Sequence, residues 1–532
     1  MYLRINIVFL FLIISYFHAD RVFPQSKSDL DILHYNLKFD LYPDESLLKG
    51  DAIITGILLN KTSDEIILNF YDNLSITSLK VNNHKTEYSN KDNLLHIKYS
   101  GGLDTFNVEI IYEGTPKHVG LSGFVFGEIN KSSVVFNLSE PDFASSWFPC
   151  HDVPSDKALL DIYITNDSSK VSVSNGILED TIAHDGRKTY HWKSLYPIAT
   201  YLVCIYSADY VSFTDKYISQ DKQDTLPISY YVFSNQLKNA KIDFEDHPKM
   251  IDFFSKTFGE YPFIKEKYGV AEFLWQMGAM EHQTITGIGS NFIGGKKYFN
   301  DIYVHELAHN WWGDAVSPAT FKDIWLNEGF ATYSEALYAE HTSGSKALQS
   351  FMLDKALSNI KGKLYNPQDN IFGATVYDKG AWVLHMLRKE TGDSLFFKIL
   401  RTYFETFKYK NASTDDFKNI CQSLSGKDLS KLFDQWVYNG EGKIELEYSW
   451  STETSMDAVK LRINISQVQT LYDNYNFPLD IKILLDNGTH IYKTIFIDTR
   501  QKDLQILLKV SPLDIELDPS HWLLASISKK EN

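Results

Sequence analysis

The strongest chemical signal in the chain is the pentad His305-Glu306-Leu307-Ala308-His309. On a helix, residues four apart lie about 40° apart around the axis, so both imidazoles project from one face. That spacing suits two nitrogen ligands of one Zn²⁺ ion, at roughly 2.0–2.1 Å. Glu306 lies beside the first ligand, where it can act as a general base without binding the metal. The alternative is a pair of packed or solvated helix histidines.

A third ligand is predicted in the next helical segment, over Leu326–His341. Glu328 lies nineteen residues after His309, and a helix, a turn and an antiparallel helix would return its carboxylate to the metal. Two histidines and one glutamate leave the fourth position of a tetrahedral site open, as in catalytic rather than structural zinc sites. Glu335 is interpreted either as a carboxylate that orients a ligand or as a solvated helix charge.

Ordered motifs spread over most of the chain resemble those of the gluzincin aminopeptidases, the family of aminopeptidase N and leukotriene A4 hydrolase. They are Trp147–Pro154 with Lys157-Ala158, Phe258–Phe263, Gly278–His282, His309–Asp314 and Tyr377–Ala381. The third of these is similar to the family's G-A-M-E-N motif and precedes the zinc pentad by a couple of dozen residues. Five motifs in the expected order make the resemblance specific.

The resemblance implies roles for residues outside the zinc ligands. It places Glu281 on the free α-ammonium of a substrate, assisted by Glu140 in analogy with a carboxylate that reaches the cleft from the N-terminal domain. Two carboxylates also make the pocket negative, which favours a cationic terminus over an internal peptide bond. Tyr377 is expected to donate a hydrogen bond to the oxyanion that develops on the scissile carbonyl. We expect an extended substrate to pair, as an added strand, with the backbone of Gly278, Ala279 and Met280.

Two features depart from the family pattern. His282 stands where the motif has asparagine, and we interpret it as a cleft-lining residue that adds pH sensitivity near neutrality, not as a catalytic residue. After Asp434-Gln435-Trp436 the sequence turns to strands, without the family's large helical C-terminal domain. We therefore expect a more open cleft.

Composition and charge exclude several classes. The 532 residues are 44% apolar and 23% charged, which is ordinary for globular proteins, and the net charge is −16. An acidic balance argues against a nucleic-acid or anionic-membrane partner, since both need basic faces. No disulfide framework or cysteine-ligated zinc cluster is expected from the three scattered cysteines, which are Cys150, Cys204 and Cys421.

Residues 1–19 have the three-part pattern of a secretory signal peptide. Arg4 lies in a short polar start, Ile7–Ile14 is unbroken apolar sequence, and Ala19 offers a small residue at the cleavage point. The apolar run is shorter than the ~20 residues of a membrane span, and no later segment is long enough for one. We therefore expect an exported protein, periplasmic or secreted, without an integral membrane segment in its mature form.

Hydrophobic periodicity divides the rest of the chain into β, helix-rich and β parts. Period-two alternation dominates to about residue 210, helical patterns such as Asp301–Gly313 follow, and alternation returns after residue 442. With the resemblance, this predicts a multidomain α+β protein. Its parts are an N-terminal antiparallel β-sandwich-like domain (25–213), a thermolysin-like zinc catalytic domain (214–440) and a small C-terminal β-sandwich domain (441–532).

The sequence as a whole predicts a zinc-dependent aminopeptidase with one Zn²⁺ per chain. Its expected partners are peptides with a free N-terminus, and we expect a monomer. Two alternatives use the same metal site: a catalytically silent protein that captures peptide N-termini, and an enzyme with epoxide hydrolase-type activity.

Overall fold

The computed structural model describes residues 30–530, apart from residues 61, 100–104, 369 and 455–457. The predicted signal peptide and the predicted start of the first domain at residue 25 lie outside this part of the chain. Among the helices of the described residues, none combines the length and the apolar character needed to cross a lipid bilayer.

Residues 30–208 are built from strands whose side chains alternate between the core and the surface, as period-two patterning predicts. The strands are β1 (Leu30–Tyr42), β2 (Leu47–Leu58), β3 (Glu65–Asn69), β4 (Ser75–Val81), β5 (His84–Lys85), β6 (Tyr88–Lys91), β7 (Leu94–Lys98), β8 (Phe106–Gly114), β9 (Gly123–Ile129), β10 (Ser132–Leu138), β11 (Lys157–Asp167), β12 (Val171–Val173), β13 (Ile177–His184), β14 (Arg187–Lys193), β15 (Ile198–Ala199) and β16 (Tyr206–Ala208).

In the described part of this region the strands form three sheets. The largest has the order β13-β14-β11-β1-β2-β8-β4-β5, with β15 paired to β11, and the others have the orders β12-β16-β10-β9 and β3-β7-β6. The predicted antiparallel pairing holds except that β1 and β11 run parallel. More than a hundred residues separate these two strands, so no tight hairpin forces them to be antiparallel.

The helix-rich part begins with a mixed sheet. Its strands, in the order β17-β18-β19-β21-β20, are β17 (Tyr210–Ile218), β18 (Thr225–Phe233), β19 (Tyr268–Phe273), β20 (Ala279–Met280) and β21 (Ile285–Gly289). Strand β17 pairs along its whole length with β18. The predicted boundary between residues 213 and 214 therefore falls inside a strand, and the sheet begins at Tyr210.

The helices of this part pack against one another and against the sheet. A short pair of parallel strands, β22 (Val316–Pro318) and β23 (Lys410–Ala412), lies among them. The helices are α1 (Leu237–Asp243), α2 (His247–Phe258), α3 (Asn300–Ala308), α4 (Trp325–Ser343), α5 (Ser345–Ala356), α6 (Gly380–Thr391), α7 (Asp393–Phe407), α8 (Thr414–Ser425) and α9 (Ser430–Phe433). Helix α2 has Pro248 in its first turn and is followed by the C-cap Gly259, whose φ of +125° favours glycine.

The C-terminal part is a pair of sheets, as predicted. Their orders are β28-β25-β24-β30 and β27-β26-β29, and the strands are β24 (Ile444–Thr454), β25 (Val459–Gln467), β26 (Phe477–Leu485), β27 (His490–Ile497), β28 (Gln501–Leu508), β29 (Pro512–Leu517) and β30 (Ala525–Lys529). The ring of Trp436 stacks on that of Tyr475 with centroids 4.3 Å apart. Buried Lys379 donates a hydrogen bond to the Gly440 carbonyl at 2.6 Å. The contact between Trp436 and Tyr475 fastens the C-terminal sheets to the helical part, and the Lys379 bond holds the segment that leads into them.

Candidate active site

Helix α3 carries the first four residues of the histidine pentad and ends at Ala308, with His309 as its C-cap, rather than at the predicted Gly313. The chain turns back immediately after it: the Asp314 N–H donates to the His309 carbonyl at 3.0 Å. Gly313 makes this reversal with a φ of +126°. The predicted helix was too long because the helical hydrogen bonds give way after Trp312: the Gly313 N–H donates to the Val316 carbonyl at 2.9 Å, which reverses the chain.

His305, His309 and Glu328 are brought together at one point between α3 and α4. The two Nε2 atoms lie 3.1 Å apart, and Oε2 of Glu328 lies 3.2 Å from Nε2 of His305 and 3.3 Å from that of His309. Two ligands at ~2.0–2.1 Å from a tetrahedral ion are about 3.3 Å apart. The three ligand atoms therefore have the spacing of one face of a zinc tetrahedron.

The segment between the two ligand-bearing helices is more irregular than the predicted single turn. It contains strand β22 and a 3₁₀ turn over Phe321–Asp323 before α4 begins at Trp325. Glu328 nonetheless lies in the first turn of α4, where its carboxylate faces α3.

Each histidine is held through its other ring nitrogen. His305 Nδ1 donates to Oε1 of Glu335 at 2.7 Å, and His309 Nδ1 donates to the Trp312 carbonyl at 2.9 Å. Because carboxylate and carbonyl oxygens only accept, both protons lie on Nδ1 and both Nε2 atoms are free to bind a metal. Of the two interpretations of Glu335, its contact with His305 supports the one that orients a ligand.

The titratable groups here favour a bound positive charge. Burial opposes the charge on His305, but the carboxylates of Glu328 and Glu335 outweigh it and raise the pKa of His305 to about 9. Burial would raise the pKa of Glu328, yet the neighbouring histidines lower it to about 2. The carboxylate is therefore ionised and matched to a cation.

Glu306 lies beside this triangle and outside it. Its side chain is buried, and this burial raises its pKa to about 8 against the opposing charges of the histidines. A carboxylate with a raised pKa can accept a proton and later release it near neutral pH. This is the behaviour expected of the general base predicted at this position.

Tyr377 reaches the metal site from a π-helical turn, Thr375–Lys379, that precedes α6. Its ring stacks on that of His305, with centroids 5.8 Å apart and an angle of 15° between planes. Burial, and then the charges of Glu328, Glu140 and Glu281, raise the pKa of Tyr377 well above its usual value. The phenol therefore keeps its proton and acts as a hydrogen-bond donor.

The two predicted ammonium-binding carboxylates also lie at the site. Glu140, which follows β10, and Glu281, which follows β20, each place a carboxylate oxygen in a cluster with Glu328 whose atoms lie within 4.8 Å of one another. Oε1 of Glu140 and Oε1 of Glu281 are buried without a hydrogen-bond partner among the described residues. Burial, and then repulsion from Glu281, raise the pKa of Glu140 well above its usual value. A cationic group would satisfy both.

The segment predicted to pair with substrate is an edge strand. Among the described strands, β20 pairs on one side only, antiparallel to β21, through Ala279 with Ile288 and Met280 with Gly287. Gly278 and Ala279 are partly exposed, whereas the side chain of Met280 packs in the core. Met280 is thus placed to contribute through its backbone.

The interpretation of His282 was wrong. Its side chain is fully buried and its Nδ1 lies 2.6 Å from the Tyr206 hydroxyl. Burial lowers the pKa of His282 to about 3. Because the side chain is buried, it neither lines the cleft nor titrates near neutrality. Its hydrogen-bond partner Tyr206 lies 76 residues upstream in the sequence.

Sequence reasoning missed two supports of the site. The Trp312 carbonyl, which accepts from His309, carries no side-chain signal. Lys157 lies in a motif that was recognised, yet no role was assigned to it: its Nζ donates to the carbonyls of Asp314 and Ala315 at 2.7 and 3.0 Å. The sequence feature that could have indicated this role is the cationic side chain of Lys157 at the start of a strand whose next three residues are apolar.

The arrangement is that of a metal site of the gluzincin type. His305 and His309 are the two histidine ligands, Glu328 comes from the next helix, and buried Glu306 lies beside His305. Residues 242–436 match the Peptidase family M1 domain, and residues 32–202 match the Peptidase M1 N-terminal domain. Together the two matches span more than half of the chain, which belongs to the M1 family of peptidases. The cofactor this family implies is Zn²⁺, and the ligand triangle fits it.

Curated relatives carry aminopeptidase names. Probable aminopeptidase 2 of Sulfurisphaera tokodaii is 27% identical over 403 residues, which cover 71% of this chain and 50% of that relative. Glutamyl aminopeptidase of Rattus norvegicus is 29% identical over 368 residues, covering 64% and 38%. The chain therefore spans about half, or less, of the length of these relatives.

Solved structures agree with the fold. The M1 zinc metallopeptidase from Deinococcus radiodurans is 26% identical with a TM-score of 0.69, over 77% of this chain and 93% of that one. Legionella pneumophila aminopeptidase A in complex with aspartic acid has a TM-score of 0.83 at 20% identity, over 96% and 61%. The second likeness extends over the C-terminal sheets and concerns the fold alone.

Proposed function

We propose that the protein is a zinc-dependent aminopeptidase, which releases the first residue of peptides with a free N-terminus. The observation that carries this proposal is the position of Glu140 and Glu281 beside the ligand triangle, each with a buried, unpartnered oxygen among the described residues. An internal peptide segment offers these carboxylates no positive charge, whereas a free α-ammonium does.

The residues divide the chemistry among them. Bound zinc supplies Lewis-acid polarisation of the carbonyl and makes water more acidic. Glu306 takes the proton of the attacking water and returns it to the leaving amine. Tyr377 donates a hydrogen bond to the oxyanion that develops on the carbonyl oxygen, a contribution of about 3 kcal/mol for such donors. The free edge of β20 holds the substrate backbone as an added strand.

An assay with an aminoacyl-arylamide tests the proposal. The purified protein should release the arylamine, lose this activity with a chelator and regain it with Zn²⁺. An N-acetylated substrate should be cut far more slowly. Metal-independent release, or equal cleavage of the acetylated substrate, would contradict the proposal.

The same protein preparation separates the alternatives. Binding of a free N-terminus without turnover would point to a capture protein, and metal-dependent opening of an epoxide to the other enzyme class. No observation on the described residues favours either alternative. The presence of the base Glu306 and of all three ligand positions argues against a catalytically silent protein.

We also propose export, a monomeric state and the absence of a nucleic-acid partner. Export is supported by the signal-peptide pattern of residues 1–19, and the last point by the net charge of −16. Mass spectrometry of the mature N-terminus tests export, and light scattering of the purified protein tests the monomeric state.

A further inference from the structure

The turn that follows Glu281 is held by the N-terminal β region at three consecutive residues. His282 Nδ1 is hydrogen-bonded to the Tyr206 hydroxyl at 2.6 Å. Asn175 Nδ2 donates to the Gln283 carbonyl at 2.8 Å, and the Gly176 N–H donates to the Thr284 hydroxyl at 2.9 Å. The position of Glu281 therefore depends on residues outside the helical part.

The Tyr206 hydroxyl enters a gap that a glycine leaves open. A Cβ on Gly287 would lie 2.2 Å from the Tyr206 hydroxyl oxygen, so a larger residue there would displace the phenol. Gly287 lies in β21 directly opposite Met280 of β20, next to Glu281. The hydroxyl thus contacts the strand pair from which Glu281 projects.

Tyr206 is also connected to Glu140, the second of the two carboxylates. Its strand, β16, pairs with β10 at Val135 and Ser207, and β10 leads into Glu140. The side chain of Asn137, in β10, accepts a hydrogen bond from the Ile205 N–H at 2.7 Å. The Tyr206–His282 hydrogen bond therefore links β16, which is paired with the strand that leads into Glu140, to the turn that follows Glu281.

The chemistry of His282 explains how it replaces the motif's asparagine here. In both side chains a hydrogen-bonding atom is attached to Cγ: Nδ1 in histidine and an amide atom in asparagine. The atom that contacts Tyr206 is thus available from either residue. Both His282 and Tyr206 are 0% exposed, so neither contacts solvent.

We propose that Tyr206 and His282 are a positioning pair, whose hydrogen bond sets the spacing of Glu140 and Glu281 and hence the preference for a free N-terminus. This inference rests on the proposed aminopeptidase function. Neither residue contacts the reacting atoms; each acts through the carboxylate next to it in the chain or the sheet.

The test is Tyr206→Phe, which removes the hydroxyl and keeps the ring. KM for an aminoacyl-arylamide should rise about 5–10-fold, the equivalent of one net hydrogen bond, with kcat within about twofold. The preference for free over N-acetylated peptide should fall by the same factor. The matched control is Tyr112→Phe: Tyr112 is buried in the same region and donates to the Trp147 carbonyl at 2.8 Å. It should lose similar thermal stability with KM unchanged.

Variants at the partner provide the rescue. His282→Asn should keep KM within about twofold, whereas His282→Leu should raise it as Tyr206→Phe does. Because the two residues share one bond, the double variant His282→Leu/Tyr206→Phe should be no worse than either single variant. Equal KM values for Tyr206→Phe and Tyr112→Phe, or additive effects in the double variant, would overturn the proposal.

A binding experiment tests the positioning pair independently of the proposed aminopeptidase activity. In a Glu306→Gln background, calorimetry with free and N-acetylated trialanine measures the preference without turnover. A fall in that preference by about 5–10-fold with Tyr206→Phe supports the pair even if the wild-type protein releases no amino acid. Retention of the preference contradicts the pair even if the wild-type protein is active.

Discussion

Gly329 and Gly380 bring helices α4 and α6 into backbone contact. A Cβ on Gly380 would lie 2.7 Å from the Cα of Gly329, and the reverse distance is the same. Gly329 follows the ligand Glu328, and Gly380 lies three residues after Tyr377. This contact therefore fixes the distance between the third metal ligand and the phenol.

Gly380→Ala should disturb this contact. The added methyl must push the helices apart, at a cost of about 1–3 kcal/mol in unfolding free energy. Because Tyr377 moves relative to the metal site, kcat should fall more than KM rises. Steady-state kinetics and thermal unfolding check this. Gly294→Ala is the control, since a Cβ there meets nothing within 4 Å; if both variants behave alike, the contact does not position Tyr377.

The two histidine ligands were predictable because helical spacing alone brings their imidazoles to one face. Glu328 was predictable from its position early in the next helical segment. The end of α3 was not, since it depends on a hydrogen bond between Asp314 and His309 that no periodicity encodes. The burial of His282 was missed for a related reason. Its partner Tyr206 is distant in sequence, and a motif comparison at one position does not report on that neighbour.

Lys157→Met tests the tether between the N-terminal region and the loop after α3. The substitution leaves the carbonyls of Asp314 and Ala315 without their donor, so unfolding free energy should fall by about 1–3 kcal/mol. A lowered midpoint of thermal unfolding is the readout. Lys49→Met removes an exposed ion pair with Glu113, with both side chains nearly half exposed, and should change stability by less than about 1 kcal/mol. Equal losses would refute the tether.

Glu335→Ala should weaken zinc binding without removing a ligand. Loss of the acceptor on Nδ1 frees the His305 ring to rotate, which typically costs about 10–100-fold in metal affinity. Glu335→Gln keeps an oxygen acceptor and should lose less. Zinc competition with a chromophoric chelator measures both. Glu340→Ala, on the same helix, breaks a pair with Arg388 at 2.7 Å and should leave zinc affinity unchanged. Unchanged affinity in Glu335→Ala would mean that His305 needs no such support.

Glu306→Gln separates metal binding from proton transfer. Glu306 lies outside the ligand triangle, so the protein should still bind one zinc per chain. An amide cannot accept the proton of water, and turnover should fall by about 10²–10⁴-fold, the usual contribution of a general base. Because the change also removes a buried carboxylate whose pKa is raised by desolvation, the unfolding temperature should not fall.

The matched control for that variant is Glu272→Gln. Glu272 is also buried and accepts from the Phe233 N–H at 2.8 Å, a bond that an amide oxygen can keep. It belongs to neither group of metal-binding side chains found among the described residues, so its turnover should stay near that of the unmodified protein. If Glu306→Gln retained turnover while Glu272→Gln did the same, the proton would have to pass through another group. The raised pKa of Glu306 would then reflect burial alone, because no step of the reaction would use it.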